Sequence, residues 1–454
     1  MIALFPIEVK VREFIPKLYL AYELIKNHNF QIIISKSRLL TSQLPYLTNA
    51  IYLDKSISEE KKYILDKVKK KNFYTALDEE APMILWPKFY FETRLNNSVL
   101  KACDRYFVRG RDESQIIKKL KKKNFSHVKI MGHPKYDLLK PKVRHIFDRD
   151  VNRIKNRYKK FVLVVSSFND DTKGSRPKIM NELKDKYSTV LKKSKSFREF
   201  LELQNRESKS YKELLNITRE MAKNFPHLNF IFRPHPVQDK KKVEKRFDKS
   251  LKNIFVEDDL SVTPWIIASD FFVHSHCSTS YDAAILNKKI ITYKKYKPGP
   301  EIPFCPGYKF DDGKKLINFL KKLNQSKIKY NYFKNKLPEN FIANFANSKN
   351  SSKFISKEFL DLLKNKNSLF LKEQKSIYQN MLIEFVSLLK NLIHKFYIYF
   401  GIKSQKTLKF TNINKEEILD QMNLFQSKIM KNKRINFKVE RLDYQVFLIK
   451  KSNS

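Results

Sequence analysis

Glycine is scarce in this chain of 454 residues, with seven in all: Gly110, Gly132, Gly174, Gly299, Gly307, Gly313 and Gly401. No two of them lie within five residues of each other. Neither G-x-G-x-x-G nor a P-loop can therefore be written anywhere, which excludes an ordinary dinucleotide dehydrogenase or a P-loop kinase. Any phosphate must be held by helix N-termini, hydroxyls and basic side chains instead. Cysteine is also scarce. Cys103, Cys277 and Cys305 form no C-x-x-C pair, so a disulfide framework and a structural zinc site are not expected, and a reducing compartment is. The N-terminus, MIALFPIEVKVREF, lacks the long apolar run and small-residue cleavage site of a signal peptide, so a cytoplasmic location is expected.

Acidic residues are outnumbered, 47 Asp+Glu against 92 Lys+Arg, for a formal charge of +45. Such a charge draws a protein toward polyanions, either nucleic acid or an anionic membrane face. The lysines are spread among isoleucines and asparagines along the whole chain, a pattern that fits general compositional bias as well as a functional basic surface. No recognition helix, RNP motif or zinc-finger spacing occurs, so nucleic acid is not the expected partner. The 42% of hydrophobic residues suffices for a large globular core and argues against global disorder.

Short apolar runs alternate with helical patterns in the first third of the chain. Strands are expected at Ile2–Val9, Gln31–Ser35, Ala50–Leu53, Phe73–Leu77, Arg105–Val108 and Val128–Met131, with a helix over Pro16–Asn27. A charged stretch around Asp137–Lys160 reads as a link. A second set of strands follows at Phe161–Ser166, Asn229–Arg233, Asn253–Val256, Asp270–His274 and Lys289–Tyr293. The same α/β pattern thus occurs twice. The expected division is a Rossmann-like domain over 1–150, a second over 151–313, and a helical, lysine-rich extension over 314–454. In open parallel sheets ligands sit beyond the carboxyl ends of the strands, and a cleft is expected between the halves. Within the extension, Asn380–Phe400 places Asn380, Glu384, Ser387, Asn391 and His394 on one stripe of an otherwise apolar helix. Glu384, Lys390 and Lys395 disfavour a membrane span. A helix packed on the core and an interfacial helix on an anionic leaflet both remain open.

Five loops at carboxyl ends of strands carry the chemistry. Arg233-Pro234-His235-Pro236 follows the strand NFIF, and its two prolines stiffen a turn that presents a cation and an imidazole. His274-Ser275-His276-Cys277-Ser278-Thr279-Ser280 follows another strand and runs into a helix, as an anion site requires, although Ser278 or Ser280 as a simple N-cap is the plainer reading. Asp78-Glu79-Glu80 ends a strand of the first half. Mutual repulsion there is expected to raise at least one pKa, which suits a general base, although a solvated acidic loop has the same look. Arg109-Gly110-Arg111-Asp112 and Gly132-His133-Pro134-Lys135-Tyr136-Asp137 offer Arg109 and His133 as residues lining a cleft, or serve to link domains.

Paired α/β halves with an acidic cluster in the first and His-Pro and Ser-rich loops in the second resemble the GT-B glycosyltransferases. More narrowly, the pattern is similar to bacterial CMP-sugar-dependent sialyl-, polysialyl- and Kdo transferases. GHPKYD, FRPHP and HSHCSTSYDAA together resemble the surface carbohydrate biosynthesis protein family over roughly residues 1–310. The resemblance implies that an acid among Asp78, Glu79 and Glu80 serves as base, although the glycine that follows the acidic pair in those enzymes is Ala81 here. It implies nucleotide and phosphate binding by Arg233, His235, Pro236, His276, Ser278, Thr279 and Ser280.

The expected activity is inverting transfer of a sugar from a nucleotide-linked donor, CMP-linked by the resemblance, to a capsule, lipopolysaccharide or other surface acceptor. No cofactor and no metal are expected, because protein groups neutralise the leaving phosphate. A CDP-glycerol-type polyol-phosphate transferase, a sugar-nucleotide 2-epimerase and a basic nucleic-acid-binding protein are the alternatives.

Overall fold

Runs rich in Ile, Val, Phe and Tyr form strands because both faces of a helix-covered sheet are buried. In chain order these are β1 (Ile2–Ile7), β2 (Gln31–Lys36), β3 (Leu47–Thr48), β4 (Ile51–Asp54), β5 (Phe73–Leu77), β6 (Arg105–Val108), β7 (Val128–Ile130), β8 (Phe161–Val165), β9 (Asn229–Arg233), β10 (Ile254–Val256), β11 (Phe271–His274), β12 (Lys289–Tyr293), β13 (Tyr308–Phe310), β14 (Leu369–Phe370), β15 (Phe437–Asp443) and β16 (Val446–Lys451). The computed structural model describes residues 1–79, 94–122, 125–168, 195–296, 304–338, 340–345, 349–364, 366–371, 412–429 and 435–452, together with Phe385, Val386, Leu389, Leu392 and Ile393.

Two compact units result. The first takes in the described residues up to Ile146 and those from 340 onward; the second takes in Phe147–Pro338. The first unit's sheet runs β15-β16-β2-β1-β4-β5-β6-β7. From β2 to β7 it is parallel. The chain leaves β1 for β2 on one side and returns to β4 on the other, so the topological switch lies between β1 and β4. The helix Lys10–His28 starts before the expected Pro16, because Glu13 accepts the N–H groups of Glu8 (2.8 Å) and Val9 (3.1 Å) and organises its entry. The second unit's sheet, β10-β9-β8-β11-β12-β13, is parallel throughout, and its switch lies between β8 and β11.

The expected division at 150 and 314 needs correction beyond the first boundary. The described residues of 314–454 do not form a separate helical extension. The helix Gly313–Asn324 sends Leu316, Leu320 and Leu323 into the second unit's core. From 340 onward the described chain rejoins the first unit, and its last described segment is a β-hairpin rather than a helix. β16 pairs antiparallel with β2, which would otherwise be an open edge, and buries Val446, Phe447, Leu448 and Ile449.

The returning chain also explains two glycines. A Cβ on Gly110 would stand 2.3 Å from the carbonyl oxygens of Asn340 and Phe341. Gly132 has φ +76°, and a Cβ there would stand 2.4 Å from Ser351 Oγ and 2.5 Å from the Ala343 carbonyl oxygen. Asp137 completes the clasp. It is fully buried, and its carboxylate accepts the N–H groups of Ser351 (3.0 Å) and Ser352 (2.9 Å), capping the helix Ser351–Leu362. Most of Asn380–Phe400 lies outside the described residues, but Phe385, Leu389, Leu392 and Ile393 are between 43% and 58% exposed. No helix among the described residues is long and apolar enough to cross a membrane.

Candidate functional site

In the second unit, the carboxyl edge of β9 turns through Arg233-Pro234-His235-Pro236. Arg233 is buried and occupied. Its Nη1 donates to the Asp259 carbonyl, its Nη2 donates to the Leu260 carbonyl (3.1 Å), and its plane lies 5.3 Å from the Trp265 ring centre. Leu260 sits at φ +57°, so Arg233 clamps a left-handed turn. Burial lowers the guanidinium pKa to about 10, against the pull of Asp259, and it stays charged at neutral pH. The residue expected to meet phosphate is therefore engaged in holding the loop after β10. His235 is half-buried. The Val237 N–H approaches His235 Nδ1 at 3.5 Å, a long contact that favours Nε2 as the protonated nitrogen of a neutral ring. Pro236 is exposed.

The loop after β11 is ordered by His274, a fully buried residue whose Nδ1 accepts the Cys277 N–H (3.1 Å). The Thr292 hydroxyl donates to the Pro306 carbonyl (3.1 Å) and faces His274 Nε2 at 2.9 Å. Burial, and next the nearby charge of Lys294, bring the imidazole pKa down to about 3, so the ring is neutral. His276 is buried edge-on to Phe168, with ring centres 4.8 Å apart. Ser278 precedes the helix Thr279–Ile285 in a helical conformation and makes no side-chain cap bond, so the simple N-cap reading does not hold for it. Thr279 Oγ1 lies 3.0 Å from Cys277 Sγ. Ser280 is fully buried, and its hydroxyl has no partner among the described residues. The second unit thus brings Arg233, His235, His276, Ser278, Thr279 and Ser280 to one sheet edge, on the turns that flank its switch point.

In the first unit, Asp78 and Glu79 emerge from β5 and are both buried. Mutual repulsion does not decide their state, because each has its own cations. Arg94 Nη2 meets both Asp78 oxygens (3.0 and 3.2 Å), and Arg109 lies 3.7 Å from Asp78. Glu79 stands 3.5 Å from Lys17 Nζ and 3.2 Å from His133 Nε2. Burial pushes the Glu79 carboxyl up, but Lys17 and then His133 outweigh it and hold the pKa below the usual carboxylate range. The rise expected for at least one acid of the run is therefore not found at Glu79. His133 Nδ1 accepts the Lys135 N–H (3.1 Å), so a neutral ring donates from Nε2 to Glu79. Burial also lowers the His133 pKa, consistent with a neutral donor beside an ionised acid. Arg109 and His133 therefore do join the acids at one carboxyl edge. Glu80 lies outside the described residues.

Glu13 and Lys17 complete this network and carry no sequence signal of their own. Both are buried, Lys17 Nζ donates to the Pro6 carbonyl, and Glu13 Oε2 lies 3.5 Å away. Only burial distinguishes them from an ordinary charged helix face. A depression of about 420 Å³ lies at the opposite, amino edge of the second sheet, lined by Lys155, Lys159, Lys160 and Lys288. Lys288 donates to the Ile267 and Ser269 carbonyls (2.7 and 2.8 Å) at a helix C-terminus, so its charge already answers the helix dipole there. Among the described residues no group of His, Cys, Asp and Glu is placed to hold a metal ion.

Two Rossmann-like α/β units of the GT-B kind are the fold class of this chain. Among solved structures it is similar to a UDP-N-acetylglucosamine 2-epimerase, with 13% identity and a TM-score of 0.50 over 83% of this chain and 97% of that one. It is also similar to the wall teichoic acid polymerase TagF (14% identity, TM-score 0.49, 81% and 90% covered) and to S. aureus MnaA solved with UDP (14%, 0.47, 81% and 98%). At such identity the likeness to the epimerase shows a shared fold. No protein-family model and no curated protein matches the sequence.

Proposed function

We propose that this chain is a glycosyltransferase that moves a sugar from a nucleotide-activated, CMP-linked donor to a surface polysaccharide or glycolipid acceptor. The observation that carries the reading is the pair of turns at the carboxyl edge of the second sheet, RPHP after β9 and HSHCSTS after β11, on either side of the β8/β11 switch. Ligands of open α/β sheets bind at such a crevice. The donor phosphate would meet His235 through Nε2–H, with His276, Ser278, Thr279 and Ser280 as further polar contacts. Pro236 fixes the turn, and Arg233 acts from behind by shaping the neighbouring loop. Charge builds on the phosphate as the bond to the anomeric carbon breaks, and preorganised donors stabilise that charge without a metal ion.

The acceptor hydroxyl attacks the anomeric carbon from the face opposite the leaving phosphate, which inverts the configuration. Its proton passes to a carboxylate of Asp78, Glu79 or Glu80. Glu79 supports this role by being ionised at neutral pH and oriented by His133, although its depressed pKa makes it a weak base. Asp78 is the poorer candidate, since two guanidinium groups engage it. The exposed apolar residues Phe385, Leu389, Leu392 and Ile393, together with the overall charge, support work at an anionic membrane face, where lipid-linked acceptors lie.

The fold shared with a UDP-N-acetylglucosamine 2-epimerase supports a second reading, epimerisation of a nucleotide sugar. Product analysis with CMP-, CDP- and UDP-linked donors separates the two: transfer or slow donor hydrolysis with release of free nucleotide supports the transferase, and an epimeric nucleotide sugar with no nucleotide release refutes it. The site assignment fails if His235→Ala leaves donor binding and turnover unchanged.

A further inference from the structure

Gln238 closes the turn after β9, and it is 2% exposed. Its Oε1 accepts the His235 N–H at 2.8 Å, and its own N–H donates to the His235 carbonyl at 2.8 Å. A backbone N–H can only donate, so the amide oxygen must face it and the NH₂ must point away. That NH₂ is buried and meets no acceptor among the described residues. On the neighbouring strand end, the Ser166 N–H donates to the Arg233 carbonyl at 2.9 Å, which sets the loop after β8 beside this turn. The next residue, Ser167, has a buried hydroxyl that also lacks a partner among the described residues. Buried polar groups are nearly always paired in folded proteins, so two unpaired donors on adjacent strand ends point to a missing acceptor.

We propose that Gln238 and Ser167 donate hydrogen bonds to a phosphate group bound at this edge, with Gln238 also holding His235 in register. This rests on the nucleotide-sugar reading above and adds two residues that no motif marks. Phosphate is the chemistry that fits, because its oxygens accept from several neutral donors at once.

The test uses the full chain and isothermal titration with CMP, CDP, UDP and pyrophosphate. Gln238→Glu keeps the oxygen that accepts from His235 and removes the NH₂, Ser167→Ala removes only the hydroxyl, and ligand-free thermal unfolding reports the fold. Ser167→Ala is expected to unfold near the wild-type temperature yet bind about tenfold or more weakly, the loss of a hydrogen bond to a charged group, whereas Gln238→Glu, which buries a carboxylate beside the bound phosphate, is expected to unfold somewhat earlier and to bind more weakly still. Wild-type affinity in both variants overturns the proposal. If Gln238→Glu unfolds early, Ser167→Ala decides by the same criterion. If the wild-type chain binds none of the four ligands, the nucleotide-sugar reading has failed as well, an outcome distinct from wild-type binding that survives both substitutions.

Discussion

Asp78 and Glu79 are consecutive residues with different surroundings, and at this scale charge partners outweigh sequence neighbours. Glu79 has its pKa lowered from a reference of 4.5. A carboxylate depressed in the folded state contributes stability above its unfolded pKa and loses it as pH falls through the folded value. Glu79→Gln is therefore expected to lower stability at pH 7 and to flatten the acid limb below about pH 4.5, measured as urea midpoints from pH 7 to pH 3. An unchanged acid limb would mean that the Lys17 and His133 contacts contribute nothing. His274 acts in the same pH direction but in a higher window. Its folded pKa of about 3 lies below the reference 6.5, so the unfolded chain binds a proton that the folded chain refuses, and stability falls as pH drops through 6.5. His274→Asn should lose that step while retaining the one from Glu79.

Arg233 sets a limit on reading function from residue type. An arginine after a strand that ends at a ligand crevice looks like a phosphate contact, yet both of its described donor groups go to carbonyls and its face goes to Trp265. Arg233→Met leaves those carbonyls unpaired and should cost on the order of 2–3 kcal/mol of stability, visible as a lower melting temperature without ligand. If Arg233→Met melts normally but binds nucleotide poorly, the clamp assignment is wrong and the direct-contact reading is restored.

At the scale of elements, the strands were legible because alternating or continuous β-branched and aromatic runs bounded by polar turns admit few other structures. The two α/β sets and the carboxyl-edge position of every candidate loop follow from them. The hairpin β15–β16 was missed although Phe437–Asp443 alternates apolar and charged residues as a half-buried strand does, because it follows a long lysine-rich stretch and its sheet partner β2 lies some 400 positions earlier. The role of GHPKYD was not legible, since the need for glycine arises from a chain segment that returns from residue 340. Gly132→Ala sets a Cβ on a backbone of positive φ and 2.4 Å from Ser351 Oγ. It should destabilise the first unit by about 2 kcal/mol or more, whereas Gly313→Ala, whose nearest contact is 3.0 Å from a flexible Ile217 methyl, should be far milder. Paired chemical denaturation of the two variants checks this, and equal losses would refute the clasp.

At the scale of the whole molecule, a charge of +45 explains attraction to any anionic surface but distinguishes none. The exposed apolar residues allow a distinction, because a bilayer would bury all four whereas nucleic acid would offer base stacking to Phe385 alone. Phe385, Leu389, Leu392 and Ile393 recur at helical spacing, and each is roughly half exposed. If charge alone draws the chain to vesicles, binding should collapse when ionic strength rises to about 0.5 M, where screening lengths fall to a few ångströms. If insertion contributes, part of the binding should survive that salt. Leu389→Ser with Ile393→Ser, which changes no charge, should abolish that surviving part and leave the low-salt attraction largely intact. Flotation with anionic and with neutral vesicles, at both salt concentrations, measures the two contributions separately. Equal salt-resistant binding by the double variant and the unvaried chain would reduce the membrane reading to electrostatics.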